Sequence, residues 1–400
     1  LLMIVVFGGF TIFGISENIK GPAIPKIQAD FQVSESQLGI LLALNALGFL
    51  IACLYTSTLI NKIGVKLTSI ILFSAMALSG YFIYLSNSFF MLSASYFFLN
   101  VGNGMLEISL AIIAARIFTK NTGTMLNLSH FFYGLGSTVA PIFATSMMGW
   151  VIFNSELGWR GMYLIMLSFS LLPIIPVVLS NFSNENTIQG ERTSIKGLTR
   201  DRIAWLIVFA LTFGVVAELG MASWLVNYLI KVYDWTLDEA SKLLSVFFLL
   251  FMFARLLLGP VTDKFGYTKS VIIFSGLAGI SSLAAISIGE EAAILFAIAG
   301  IWVAPIYPTM MALLAKRYAK GTDSAITFTV SLIGIGSIVG NLLIGYIIEL
   351  FSNWFNNVET GKNIAIGMQA GYSFIALNAL LCAGFSLIIF ILLKKENSVI

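Results

Sequence analysis

The sequence predicts an all-α polytopic membrane protein with twelve transmembrane helices in two six-helix bundles. Three observations carry this. The 400-residue chain is 58% hydrophobic and only 10% charged, whereas soluble domains carry roughly 25% charged residues. Twelve apolar runs recur along it, each long enough to cross a hydrocarbon core of about 30 Å. The longest polar stretch between runs falls at the middle of the chain. In lipid the backbone must satisfy its own hydrogen bonds, so a spanning segment is a helix or a barrel strand. The short alternating segments of a barrel are not seen.

The runs lie at roughly 1–20, 37–60, 67–86, 89–115, 122–151, 161–180, 203–230, 240–260, 270–288, 291–315, 324–350 and 367–393. The polar stretch from Ser180 to Arg202 separates six from six. The expected division is an N-terminal bundle (1–180), a cytoplasmic linker (181–202) and a C-terminal bundle (203–400). The chain opens in an apolar run with no charged n-region, so no cleavable signal peptide is expected. Cys53 and Cys382 sit apart in apolar runs, without metal or redox spacing. No metal or cofactor is expected. The net charge of +3 gives no sign of nucleic-acid binding. If the first span runs inside to outside, fifteen of the 22 Lys and Arg fall in inner loops and six in outer loops, with Arg255 inside a span. The positive-inside rule then places both termini in the cytoplasm of a plasma-membrane protein.

The halves resemble each other. Gly134-Leu-Gly-Ser137 matches Gly334-Ile-Gly-Ser337 at an offset of 200, and Asn61-Lys-Ile-Gly64 matches Asp263-Lys-Phe-Gly266 at 202. Glu17 and Glu218, both inside apolar runs, are 201 apart. Near-constant spacing in corresponding spans points to a parallel internal repeat.

At Gly259-Pro-Val-Thr-Asp263-Lys264-Phe-Gly266-Tyr-Thr-Lys269 the chain resembles the major facilitator superfamily, whose loop signature between the second and third spans of a half has this form. The first-half copy departs from it, with Ser57 for the leading Gly and Asn61 for the Asp. The resemblance covers all twelve spans and implies the major facilitator fold, with transport by alternating access. A narrower likeness follows. Gly102-Asn-Gly-Met-Leu-Glu107, the stretch from Leu126 to Gly136 and the stretch from Val216 to Tyr228 are similar to the fucose–galactose–glucose proton symporter branch. Glu107 matches that branch's fourth-span acid; its first-span acid has no clean match, Gly21 standing there beside Lys20.

Carboxylates at membrane depth are costly and usually mark a substrate or proton path. Glu107, with Glu218 and Glu17, is therefore the expected proton-coupling set, an acid whose charge is penalised by burial being able to load a proton on one side and release it on the other. The alternative for each is a neutral acid that hydrogen-bonds a neighbouring helix. Lys20 can pair with Glu17 at i,i+3 or snorkel to the interface. A sugar site needs hydrogen-bonding groups and an aromatic face. The spans offer Asn45, Asn103, Asn127, His130, Trp224, Asn227, Trp302, Asn341 and Asn378. Of these Asn103, Asn127, His130, Trp224, Asn227, Trp302 and Asn341 are the substrate-binding candidates, the alternatives being interhelical glue and interfacial anchors. Asp263, Arg255 and Lys20 are the gating candidates, with Arg255 and Asp263 exchanging partners between states or forming a static pair. Gly334-x-Gly336-x-x-x-Gly340 lies inside an apolar span with no strand before it, so it reads as close helix packing and not a nucleotide loop.

The expected function is proton-coupled uptake of a neutral, hexose-like sugar by a monomer in the bilayer, with no enzyme activity. The alternative on the same fold is a proton-driven exporter of hydrophobic compounds, for which 33 Phe and 14 Met could line an adaptable cavity. A non-transporting sensor or scaffold is disfavoured, since the chain carries no sizeable soluble domain.

Overall fold

The computed structural model describes residues 1–117, 122–152, 154–180, 195–318, 322–355 and 362–396. Among the described residues are twelve helices long and apolar enough to cross a membrane. In order they are Leu2–Phe31, Glu35–Thr56, Thr58–Tyr84, Phe89–Ala114, Leu128–Met148 and Gly158–Leu179, then Arg202–Tyr233, Leu237–Phe265, Tyr267–Ile288, Glu290–Arg317, Ala325–Trp354 and Lys362–Lys395. They are numbered here as spans 1 to 12. A two-residue antiparallel pair, Val151–Ile152 with Ser155–Glu156, joins spans 5 and 6. Nearly every span presents large apolar residues outward, among them Leu54, Phe98, Ile175 and Leu257. In water such surface would drive aggregation; in a bilayer it meets lipid. The protein is a multi-pass membrane protein.

Span 1 runs eleven residues beyond the expected end near residue 20, as two helices, Leu2–Asn18 and Lys20–Phe31. The polar residues Lys20, Lys26, Gln28 and Asp30 and the two prolines argue for a loop there. Helix survives because Ile19 keeps α geometry and Pro22 lies in the first turn, where an N–H has no intrahelical partner. The carboxylate of Asp30 then accepts hydrogen bonds from the Trp159 indole at 2.8 Å and from Arg160 at 2.7 Å.

The internal repeat is visible in backbone geometry. Gly64 (φ 80°, ψ 158°) breaks the continuous element Glu35–Tyr84 that carries spans 2 and 3, within the first two turns of span 3, and Gly266 (φ 90°, ψ 140°) separates spans 8 and 9. These are the glycines that close the two loop signatures, held in a conformation that residues with a Cβ avoid. A second match lies in the capping boxes that open spans 2 and 8. Ser34 and Gln37 form a capping box before span 2, with Ser34 N–H donating to Gln37 Oε1 at 2.8 Å. Thr236 and Glu239 do the same before span 8, with Thr236 N–H donating to Glu239 Oε2 at 2.9 Å. Both are Ser/Thr-x-x-Gln/Glu stretches of the capping-box form.

Contacts divide the chain into two compact units: Leu1–Glu185 with Ser223–Leu249, and Asn186–Ala222 with Leu250–Ile400. In unit 1, Val6, Phe10, Phe73, Leu106 and Leu110 belong to one buried cluster. Spans 1 and 5 cross so closely that a Cβ on Gly14 would collide with the Tyr133 carbonyl, and one on Gly136 with the Thr11 carbonyl. Beside this crossing the buried Asn18 amide donates to Ser137 Oγ at 2.9 Å and to the Gly14 carbonyl at 2.9 Å. In unit 2, span 11 meets span 7 at Gly336 and Gly340, which face Thr212 and Val216. The glycine spacing therefore serves helix packing, as expected.

Candidate functional site

The site builds up from one helical turn of span 1. Glu17 and Lys20 lie three residues apart, so their side chains share a face. They form an ion pair at 3.3 Å, and both side chains are mostly buried. The other carboxylate oxygen accepts a hydrogen bond from Asn103 Nδ2 on span 4 at 2.7 Å. Asn103, 1% exposed, also exchanges hydrogen bonds with Ser16 Oγ at 3.0 and 3.2 Å. The Glu17 carboxylate is thus fixed by one cation and one amide.

This cluster walls a small cavity in unit 1. Span 1 contributes Ser16, Glu17 and Lys20, span 2 contributes Asn45, and span 4 contributes Tyr96, Asn100 and Asn103. Leu99 of span 4 and Tyr163 of span 6 complete it. Tyr96, Asn100 and Asn103 follow one face of span 4 at helical spacing. The hydroxyls of Tyr96 and Tyr163, both deeply buried, hydrogen-bond each other. One bond uses one of their two protons, which leaves the other for the cavity. The cavity has room for about one water molecule, so a larger ligand requires its walls to part.

Glu107 lies four residues beyond Asn103 on span 4, one turn on along the same face. It does not line the cavity and stands within electrostatic reach of Cys53 on span 2. His130 packs against Phe10, with ring centroids 5.3 Å apart. The side chain of Asn127 lies outside the described residues.

Trp224 and Asn227 are fully buried, at 1% and 0% exposure. Asn227 Nδ2 donates to Gln28 Oε1 at 3.4 Å, and the Trp224 indole N–H has no hydrogen-bond partner in the structure. One turn on from Asn227, Lys231 donates to Gln28 Oε1 and to Glu35 Oε1, each at 2.7 Å. Gln28 Nε2 closes the triangle onto Glu35 at 2.9 Å. Sequence reading missed this triad, because its members come from three elements and each looks like an ordinary interfacial polar residue.

Unit 2 holds the repeat mate of Glu17. Glu218 pairs with Arg255 of span 8 at 3.2 Å. Arg255 also donates to the Ala304 carbonyl at 3.2 Å and lies over the Phe251 ring at 4.3 Å. Expectation joined Arg255 to Asp263; in this structure its ion pair is with Glu218, and Asp263 lies beside Tyr267. Asn341 donates back to the Ser337 carbonyl at 2.9 Å, and Trp302 stacks on Phe274 at 6.3 Å.

A further cluster gathers at the start of span 7. Asp201 accepts from the Ile203 amide at 2.8 Å, from the Tyr318 hydroxyl at 2.5 Å and from Arg317 at 3.4 Å. Burial opposes the charge on Asp201, but these donors together hold its carboxyl below the usual range. Burial and the bond to Asp201 push the Tyr318 phenol up. Among the described residues no group of His, Cys, Asp and Glu is arranged to hold a metal ion.

The sequence profile of the Major Facilitator Superfamily matches residues 6–289 and 219–399. The chain belongs to this superfamily. Superfamily membership accounts for the twelve spans, for the paired loop glycines and for a transport role without covalent chemistry. Among curated relatives, the protein TsgA homolog of Buchnera aphidicola subsp. Baizongia pistaciae is 20% identical over 355 residues, 88% of this chain and 89% of that one. Among solved structures, a bacterial homolog to the human lysosomal transporter Spinster superposes with a TM-score of 0.80 at 14% identity, covering 97% and 96% of the two chains. The Escherichia coli fucose:proton symporter FucP superposes at 0.65 with 16% identity, covering 97% and 98%. At these identities the structural likeness concerns the fold.

Proposed function

We propose that this superfamily member is a secondary active transporter that imports a neutral sugar together with protons by alternating access. The observation that carries the reading is the Glu17–Lys20–Asn103 cluster on the wall of a buried polar cavity. The pair leaves that wall without net charge, and its remaining capacity is for hydrogen bonding, which suits a polyhydroxylated ligand. The likeness of Gly102-Asn-Gly-Met-Leu-Glu107 to the sugar–proton symporter branch supports the same reading.

Glu107 is the main coupling acid, one turn along span 4 from Asn103, with Glu17 and Glu218 assisting. Asn127, His130, Trp224, Asn227, Trp302 and Asn341 complete the substrate contacts in one state or another. Asp263, Arg255 and Lys20 act in gating. With both termini in the cytoplasm of the plasma membrane, the Gln28–Glu35–Lys231 triad lies at the outer end of its spans. It must break whenever those spans separate. The protein works as a monomer.

The test is uptake in proteoliposomes under an inward proton gradient, over labelled hexoses, deoxyhexoses and pentoses. Accumulation of one sugar that a protonophore abolishes is the expected result. Glu107→Gln keeps shape and removes the titratable group; it should lose uphill accumulation and retain exchange. Absence of sugar uptake, alongside gradient-driven movement of a hydrophobic dye or an organic acid, would replace the sugar reading.

A further inference from the structure

Asn45 is 6% exposed, and neither atom of its amide has a hydrogen-bond partner in the structure. It lines the cavity that holds the Glu17–Lys20 pair. An orphaned amide in a low-dielectric interior is costly, because two groups that water would satisfy are left bare. A leucine of similar shape would pack there without that cost. The fold makes no use of the polar end of Asn45, so its use lies with something that enters the cavity.

The chemistry of that occupant is constrained. The amide sets a donor and an acceptor on adjacent atoms. A carboxylate could accept from Nδ2 but would face the oxygen with another acceptor. An ammonium could donate to Oδ1 but would face the amide hydrogens with another donor. Two neighbouring hydroxyls satisfy both at once, because each hydroxyl donates and accepts. The charges opposite are already paired, Lys20 with Glu17, so no ionic ligand is called for. The spare tyrosine proton and Asn100 add hydrogen-bonding capacity to the same walls.

We infer that Asn45 is a specificity-determining residue that binds a vicinal diol of a neutral polyol in the span 1–2–4 cavity. This rests on the sugar-transport reading and adds to it a residue and a functional group. The purified full-length protein is titrated with labelled D-glucose, D-galactose, L-fucose and D-xylose and with their monodeoxy analogues. The same titration is made with Asn45→Leu and Asn45→Ala, and thermal unfolding is measured for all three proteins. We expect the wild type to bind one sugar, and both variants to bind it about 10- to 100-fold more weakly. Their unfolding midpoints should be unchanged or, for Asn45→Leu, raised. The deoxy analogue that lacks a hydroxyl held by Asn45 should bind wild type and variants alike. A wild type that binds a sugar, with variants of equal affinity, overturns this inference and leaves the transport reading standing; Asn45 would then be satisfied by water alone. A lower midpoint in both variants also overturns it, by giving Asn45 a structural partner. Failure of the wild type to bind any of these sugars overturns the transport reading and this inference together.

Discussion

Glu17 and Glu218 occupy equivalent places in the two halves, yet each takes its countercharge from a different source. Lys20 reaches Glu17 from one turn along the same span, across the α-configured Ile19, so that pair belongs to span 1 alone. Arg255 reaches Glu218 from the next span, so that pair ties two helices. An offset of 202 from Arg255 leads back to Cys53, which carries no charge. At that position the first half has no cation, and Lys20 neutralises Glu17 locally instead. The first-half pair leaves its interhelical contact to the amide of Asn103, whereas the second-half pair is itself a brace between helices.

That contrast yields an ordered set of expectations. The largest effect should come from Glu218→Ala, which strands Arg255 in a mostly buried site. A loss of about 3 kcal/mol is expected in unfolding measurements, largely recovered in the double variant Glu218→Ala/Arg255→Leu. Full additivity of the two single changes would remove the brace interpretation.

Next come the helix crossings. Gly136→Ala pushes a methyl group into the Thr11 backbone carbonyl, whereas Gly336→Ala meets only the Thr212 side chain. Both should cost about 1–3 kcal/mol, but Thr212→Ala should rescue the second, and no side-chain trimming at Thr11 should rescue the first. Equal rescue in both halves would show the crossings to be equivalent after all.

Glu17→Ala should cost about 1–2 kcal/mol: Lys20 is at least as buried as Arg255, but its flexible stem can turn the ammonium into the cavity. Its signature is in binding, since Asn103 loses its acceptor. Sugar affinity unaffected by Glu17→Ala, measured by equilibrium titration, would detach the pair from the site.

The smallest effect concerns Asp201. Its carboxyl titrates lower in the folded chain than in the unfolded one. The stability it adds is therefore fully present above the ordinary carboxylate value near 4 and is lost as pH falls through the depressed folded value. Asp201→Asn should lower the unfolding midpoint modestly at neutral pH and flatten this acid-side slope. Asn keeps an acceptor for the Ile203 amide, so the cap survives and only the charge-assisted bonds from Tyr318 and Arg317 weaken.

Much of the fold was legible because lipid imposes a simple code: apolar length gives spans, and glycine at fixed offsets gives joints and crossings. The Glu17–Lys20 pair was legible for a similar reason, as both residues sit on one helix. The pairing of Arg255 with Glu218 in this structure was not, because Glu218 is on another span, while Asp263, eight positions away and near in sequence, lies about 12 Å along the helix. Tyr96 and Tyr163 escaped notice because tyrosines in apolar runs resemble lipid-facing anchors. The bare amide of Asn45 is a product of tertiary packing, which no sequence pattern carries.

The single-residue joints at Gly64 and Gly266 bear on biogenesis. With no loop at either joint, the helices on its two sides have no slack between them, so entry into the bilayer as a pair is the expected route for each. Lengthening either joint should then change how its pair inserts before it changes the finished fold.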